Sequence, residues 1–469
     1  MDSYRVEKDA LGDVRVPADR LWGAQTQRSI DNFPIGIDRF RWGRPVIRAF
    51  GILKKCAALT NGALGELSAD KVALIARAAQ EVIDGRLDAE FPLVVFQTGS
   101  GTQSNMNANE VIANRAIQLA GGVVGAKKPI HPNDDVNRGQ SSNDTFPAVM
   151  HIATVDLIDA KLLPAVRALR DTLDAKARAF ADIVMIGRTH LMDATPVTLG
   201  QIISGWVAQL DDAREVIESA RDRLYPLALG ATAVGTGLNA HPRFGDDVAA
   251  AIARETGKPF VAARNKFAAL SAHDAIVNAS AAARTLAIAA MKIANDVRFH
   301  ASGPRAGLGE ISIPDNEPGS SIMPGKINPS VPEMVNQVCF QVIGNDTTVA
   351  WGAQAGQLEL NVMMPGINYA VCFSATILTN AVRQLRTKCV EGMRVDEHRA
   401  KELIDASPSL LVTALSPHIT YARAAALAKR ALGERRSLLD VALEEKVMPE
   451  ADLRRILDPL PMTKGGVQE

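Results

Sequence analysis

The sequence predicts a mainly α protein with a central bundle of long helices shared between subunits. Three observations point that way. Aromatic residues make up only 4% of the 469 residues, which is low for a sheet-rich chain because strands favour aromatic and β-branched side chains. From about residue 146 to 390, apolar residues recur at helical spacing. Leu162, Val166, Leu169 and Leu173 step by 4, 3 and 4, and Ile203, Trp206, Leu210, Ala213, Ile217, Ala220 and Leu224 alternate steps of 3 and 4. Such runs describe a bundle seam with near-heptad spacing. Finally, Ala281–His300 carries Leu286, Ala290, Ile293 and Val297, with Ile288, Met291 and Ala294 beside them. A helix apolar over so wide an arc needs burial on several sides. In a neutral soluble chain, packing between subunits would supply it, so a homo-oligomer is expected.

The elements divide the chain into three segments, as its length suggests at about 150 residues per domain. Residues 1–138 form a mixed, mostly helical domain. Short apolar pieces alternate there with Gly, Pro and Asn, and Asp70–Asp84 carries Val72, Ile75, Ala79 and Val82 at helical spacing. Residues 139–397 form the bundle. Within it Ile183–Ile186 reads as strand-like, and Pro196 is placed just before the next helix, where a helix start tolerates proline. Residues 398–469 form a small helical domain. Glu397–Asp405 and Tyr421–Arg430 read as helices, and Ser407-Pro408 and Ser416-Pro417 break the pattern.

With 52 basic and 52 acidic residues the net charge is +0, which argues against a nucleic-acid partner or a polybasic membrane patch. A DNA-reading helix pair over 437–457 is disfavoured by Glu444, Glu445, Glu450 and Asp452, which repel phosphate. Cys56, Cys339, Cys372 and Cys389 lie far apart; they read as reduced, mostly buried thiols rather than a disulfide framework or zinc site. The first residues lack an apolar targeting core. No membrane span is expected, because the most apolar stretch, near Thr285–Met291, is bracketed by Arg284 and Lys292. A soluble, cytoplasmic protein is expected.

Four segments concentrate small polar residues. Gln97–Asn105 (QTGSGTQSN) runs into a helical stretch. It reads either as an anion cradle at a helix N-terminus or as an ordinary capped helix start; its spacing does not meet the dinucleotide fingerprint. His131-Pro132-Asn133-Asp134, followed by Gln140–Asp144 (QSSND), offers neutral donors for a carboxylate, or else an Asx-turn cluster. Gly187-Arg188-Thr189-His190 places a histidine at an element boundary, as an acid/base group or a structural residue. Glu317–Pro329 (EPGSSIMPGKINP) holds three Pro and two Gly, so it is an irregular loop long enough to be functional. It is not a P-loop, since Gly319 and Gly325 enclose five residues and Ile327 stands where a Mg²⁺-binding Ser or Thr belongs. No HExxH, EF-hand loop, Cys/His cluster or GxSxG elbow occurs, so neither metal nor other cofactor is expected.

Together these segments resemble the fumarase/aspartase superfamily, most closely its class II fumarase branch. The likeness begins at Arg5-Val-Glu-Lys-Asp and Pro17–Arg28, includes the signature Gly319–Asn328 and reaches Asn345-Asp346, thus covering nearly the whole chain. The resemblance implies a three-domain fumarase/aspartase-like fold, a homotetramer with sites built from several subunits, and reversible hydration of fumarate to (S)-malate in the tricarboxylic acid cycle. It implies dicarboxylate binding by Ser100, Gly101 and Thr102, by Ser141, Ser142 and Asn143, and by Thr189, Ser321, Lys326, Ile327 and Asn328. His190, oriented by Glu333, would handle the water, Ser320 would remove the carbon-bound proton, and His131, Pro132, Asn133 and Asp134 would form a second anion site.

That reaction explains the residue types. The proton leaves a carbon next to a carboxylate, and the charge must spread into that carboxylate, where fixed donors lower the barrier most. Ser320 can act as a base only if loop N–H groups and Lys326 stabilise its alkoxide. The opposite face needs a second group. One departure stands out. Val331–Phe340, Thr347-Thr348 and Gly356–Val362 look more like aspartate ammonia-lyase, whereas His190, His131 and Gly325 follow the fumarase pattern. Site residues weigh more than framework, so hydration leads. An ammonia-lyase, a hydratase for a substituted fumarate and a catalytically silent scaffold stand as rivals.

Overall fold

The apolar rows picked out in the sequence are the rows that the structure buries. In the computed structural model, which describes residues 3–467, Ile203, Leu210, Ala213 and Leu224 are 0% exposed and Trp206 2%. In the preceding row, Val166 is buried with Leu162, Leu169 and Leu173. Met1 and Asp2, where the N-terminal targeting reading begins, lie outside the described residues.

The chain opens with a hairpin, β1 (Tyr4–Asp9) and β2 (Gly12–Pro17), then α1 (Ala24–Asn32), α2 (Arg44–Ala63) and α3 (Ala69–Ile83). Next come α4 (Thr102–Leu119), α5 (Ser142–Leu157), α6 (Leu163–Ala179), a second hairpin of β3 (Val184–Thr189) and β4 (Met192–Thr198), and α7 (Leu199–Asp222). Then follow α8 (Phe244–Thr256), α9 (Lys266–Ser271) and three long helices, α10 (Asp274–His300), α11 (Ser330–Gln354) and α12 (Met364–Leu385). The chain closes with α13 (Glu397–Asp405), α14 (Pro408–Val412), α15 (Tyr421–Glu434), α16 (Leu438–Glu444), α17 (Glu450–Ile456) and α18 (Pro459–Met462). Sheet is confined to two-stranded pieces among the described residues, as the scarcity of aromatics suggests.

Two compact units result. The first gathers Met1–Pro164, Glu215–Ala287 and Phe340–Thr379, and the second Ala165–Arg214, Ile288–Cys339 and Asn380–Glu469. The three consecutive segments read from the sequence are a division by chain order, and we keep them as a proposal. In the first unit Arg284 Nη1 and Ser280 Oγ of α10 donate to buried Asp346 of α11, the latter at 2.7 Å, and Asn345 Nδ2 donates to Ser374 Oγ of α12 at 2.9 Å. In the second, Trp206 Nε1 of α7 donates to Asp296 Oδ2 of α10 at 3.0 Å, and Asn336 Nδ2 of α11 to Asn295 Oδ1 at 2.8 Å. The buried members, Ser280, Asp346, Ser374, Trp206 and Asn336, tolerate burial because these hydrogen bonds are made, although Asn336 Oδ1 has no partner among the described residues.

Two expectations are corrected. Pro196 lies in β4 opposite Ile186, and the helix begins at Leu199; a two-stranded ribbon consists only of edges, where proline is tolerated. The strand that opens at Val184 runs on to Thr189. Helix α10 is long and apolar enough, with mean hydropathy 1.3 over an 18-residue window, to cross a membrane by length and composition, although 56% of that window is buried inside the protein. Leu286, Ala290, Ile293, Ala294 and Val297 form its buried stripe, so packing explains the apolarity. Ile288 remains 52% exposed. Cys56, Cys339 and Cys389 are buried and Cys372 half-buried, and burial pushes each thiol up to about 12.

Candidate active site

In the first unit, two helix N-termini are tied together. Gly101 caps α4 with φ +70°, a left-handed conformation that glycine adopts without strain. A Cβ there would also lie 2.2 Å from the Phe146 ring of α5. Ser100 Oγ and Thr102 Oγ1 are 2.7 Å apart at this turn. Gln97 Oε1 accepts from Ser104 N and Oγ at 3.0 and 2.9 Å, closing the loop on itself. At α5, Ser141 and Asp144 make a reciprocal capping box. Asn143 Nδ2 donates to Ala233 O at 2.8 Å. The link between the two ends is Asn105 Nδ2, which donates to Ser142 Oγ at 2.9 Å. Ser100, Gly101, Thr102, Ser141, Ser142 and Asn143 thus lie at the N-terminal turns of two helices joined through Asn105, and helix N-termini suit anions.

Beneath them lies a network that the sequence reading missed. Lys54 of α2 is 0% exposed. Its Nζ donates to Asn137 Oδ1 at 3.0 Å and Gln140 Oε1 at 2.9 Å. Asn137 Oδ1 also accepts from Asn105 and Asn109, each at 3.1 Å. Burial pushes the Lys54 amine down to about 7, against the attraction of Asp144. Burial likewise pushes the Asp144 carboxyl up to about 6, although N–H groups of Ser141, Thr232 and Gly230 oppose it. The clue in the sequence is that Phe50, Lys54 and Asn61 share the buried face of one helix. A lysine on an apolar stripe is rare enough to mark a polar partner inside.

The stretch that resembles ammonia-lyases abuts this loop. Met364 N donates to Gly99 O at 3.0 Å, and a Cβ on Gly99 would fall 1.3 Å from Val362 O. His131 turns out to be a cap: its Nδ1 accepts from Asn133 N and Asp134 N, both at 3.2 Å, at the turn Pro132–Val136. Asp134 stays 79% exposed at its side chain.

In the second unit, His190 and Leu191 form a two-residue turn between Thr189 and Met192, with φ of 55° and 62°. His190 is exposed at its tip. The irregular loop folds back on itself: Gly319 N donates to Lys326 O at 2.8 Å, Asn328 Nδ2 to Gly319 O at 2.5 Å, and Lys326 Nζ to Asn328 Oδ1 at 2.6 Å. Ser320 Oγ accepts from Ile322 N at 3.2 Å and Met323 N at 2.9 Å. Two N–H donors on one hydroxyl oxygen favour its deprotonated form. Ser321 and Ile327 are exposed on the same loop. Glu333 stands in the first turn of α11, its Oε1 3.7 Å from Arg298 Nη2. Within one chain, among the described residues, no hydrogen bond joins Glu333 to His190, since Glu333 faces Arg298; the expected orientation of His190 by Glu333 is carried forward as a proposal.

The comparisons with known proteins agree with this architecture. A lyase family model matches residues 12–344, and a model for the fumarase C C-terminus matches 411–464, so the chain is a lyase of the fold described above. A solved class II fumarase from Schistosoma mansoni superposes with a TM-score of 0.95 at 39% identity, covering 98% of this chain and 99% of that one. A fumarate lyase:delta crystallin structure from Brucella melitensis, bound to cobalt, gives 0.94 at 41%, covering 98% and 100%. The class II fumarate hydratase of Thermus thermophilus is 53% identical over 461 residues, 98% of each chain. This chain belongs to the class II fumarate hydratase family.

Proposed function

We propose that this protein interconverts fumarate and (S)-malate by adding or removing water. The observation that carries the reading is its end-to-end kinship: relatives sharing about half of its residues over 98% of its length are named class II fumarate hydratases. The ammonia-lyase and substituted-fumarate alternatives are not favoured by that kinship.

In the dehydration direction Ser320 Oγ, as an alkoxide held by Ile322 N–H and Met323 N–H, takes the proton from the carbon beside one carboxylate. The electron pair moves into that carboxylate, giving an aci-dianion. Lys326 and Asn328 are the donors available to it. The C–O bond then breaks on the opposite face. The leaving hydroxyl takes a proton from His190, or from a water that it holds, and departs as water. In hydration the steps reverse. Ser100, Thr102, Ser141 and Asn143 hold the substrate carboxylates in this reading, and Gly101, Ser142, Thr189, Ser321 and Ile327 are assigned to substrate binding as well. We assign His131–Asp134 to a second anion site.

We also propose a homotetramer acting in the tricarboxylic acid cycle in the cytoplasm. Phe340 and Trp351 of α11 are 59% and 67% exposed, and Phe299 of α10 43%; large apolar side chains on long helices are expected to meet another subunit. A partner chain would then supply Glu333 to His190. The deciding experiment incubates the protein with malate and with aspartate and follows ultraviolet absorbance of the new conjugated double bond. Absorbance growing with malate supports the proposal, and growth with aspartate alone refutes it. Native mass measurement tests the tetramer, and cell fractionation tests the compartment.

A further inference from the structure

The turn that carries His190 includes a residue poorly suited to it, Leu191. A two-residue hairpin with φ positive at both positions normally uses Asn and Gly. Here His190 and Leu191 occupy them, with φ of 55° and 62°, and Leu191 is 73% exposed, so packing of its side chain does not compensate. Each left-handed ordinary residue costs roughly 1–2 kcal/mol. Such strain persists only where the surroundings over-determine the conformation. The base of the hairpin is fixed by Ile186, which packs with Ile404 and Leu410. Nearer the tip, the ladder shifts register between Ile186 and Arg188, so backbone pairing alone holds it poorly.

What holds the tip is a buried carboxylate. Glu310 is 0% exposed. Arg188 grips it with both ends of its fork, Nη1 to Oε2 and Nη2 to Oε1, each at 3.0 Å. His300, the last residue of α10, places Nδ1 2.8 Å from Oε2. The backbone of Glu310 is pinned as well: its N–H donates to His300 O at 3.0 Å, and its carbonyl accepts from Asp396 N at 2.8 Å. Burial alone would raise this carboxyl, but hydrogen bonds from His300 and Arg188 hold it below its usual range. A bidentate pair fixes direction as well as distance. Arg188 lies two residues before His190, so the fork sets where the tip points.

We propose that Glu310, gripped by Arg188 and steadied by His300, is a positioning residue that holds the strained His190 turn in the geometry the hydration step needs. This rests on the role given to His190 above. The test is the double variant Arg188→Met/Glu310→Gln in the full-length protein, which keeps volume and buries no unpaired charge. Turnover and KM for malate are measured with amide hydrogen exchange and thermal unfolding. The expected result is a fall in kcat of about tenfold or more, KM within about threefold, and faster exchange confined to residues 184–198. A smaller fall in kcat overturns the proposal, and so does loosening that spreads through α10 and α11, which would make the pair a general stability element. If the double variant does not fold, Arg188→Lys, which keeps the charge and loses the fork, is judged by the same criteria. Wild-type protein in the same assay separates the two ideas: if it does not hydrate fumarate the reaction is wrong, and the exchange at the hairpin still decides the anchor.

Discussion

His190→Asn separates catalysis from folding unusually cleanly. The imidazole is exposed at a hairpin tip and makes no hydrogen bond among the described residues of its own chain, so its removal leaves no buried partner unsatisfied. The backbone at 190 has φ 55°, a region in which asparagine and histidine are both several-fold enriched. The substitution should therefore leave the backbone of the turn nearly undisturbed, and thermal stability should hold. Loss of a positioned acid/base group costs about 10²–10⁴ in rate, or about 2.7–5.4 kcal/mol of barrier at 1.36 kcal/mol per decade. The assay is initial-rate absorbance of fumarate formed from malate, with a thermal melt of the same preparation. A rate within about tenfold of wild type, a barrier change under about 1.4 kcal/mol, would refute the role of His190. A large fall in melting temperature would refute the argument that the turn is indifferent to the side chain.

Ser320→Ala should reduce turnover by well over tenfold and leave the melt unchanged, since the loop it occupies is largely exposed; activity surviving within about tenfold removes Ser320 as the base. Gly101→Ala should destabilise by about 2–5 kcal/mol, from a left-handed φ plus displacement of the Phe146 ring, read as a shift in denaturant midpoint; a loss below about 1 kcal/mol contradicts the packing. Lys54→Met tests the buried network by pH. The amine's folded value of about 7 lies below its ordinary 10.5, so the unfolded chain binds more protons between those values. Wild-type stability should then rise relative to the variant as pH climbs through that window. A wild-type-minus-variant difference that stays flat between pH 7 and about 10 would show that Lys54 is not held near neutrality.

Periodicity revealed the long helices because a buried stripe must repeat with the helix. Ile203 through Leu224 all turned inward, and Asp70–Asp84 became Ala69–Ile83 with a one-residue shift. Boundaries controlled by strands were less legible: a proline next to a helix looks like a cap, yet Pro196 belongs to β4. The loop from Glu317 to Pro329 was legible through its Pro and Gly content, but Ser320 accepting two N–H groups depends on backbone curvature that residue types do not encode. Lys54 and Glu310 were missed for a common reason. Their partners lie far along the chain, at Asn137 and Arg188, and only the fold brings them together. The pairing of His190 with Glu333 is not made within one chain, and a linear sequence does not say which copy supplies a residue.

The four cysteines also leave the surface chemically quiet. With thiols pushed up to about 12 by burial, only about one part in 10⁵ is thiolate at neutral pH, and thiolate is the form that alkylating reagents attack. A single engineered thiol would therefore stand out against almost no background. Leu191→Cys puts one on the hairpin tip next to His190, at a side chain 73% exposed in the single chain. Its labelling rate would report directly whether that tip is open to water or covered by a neighbouring copy.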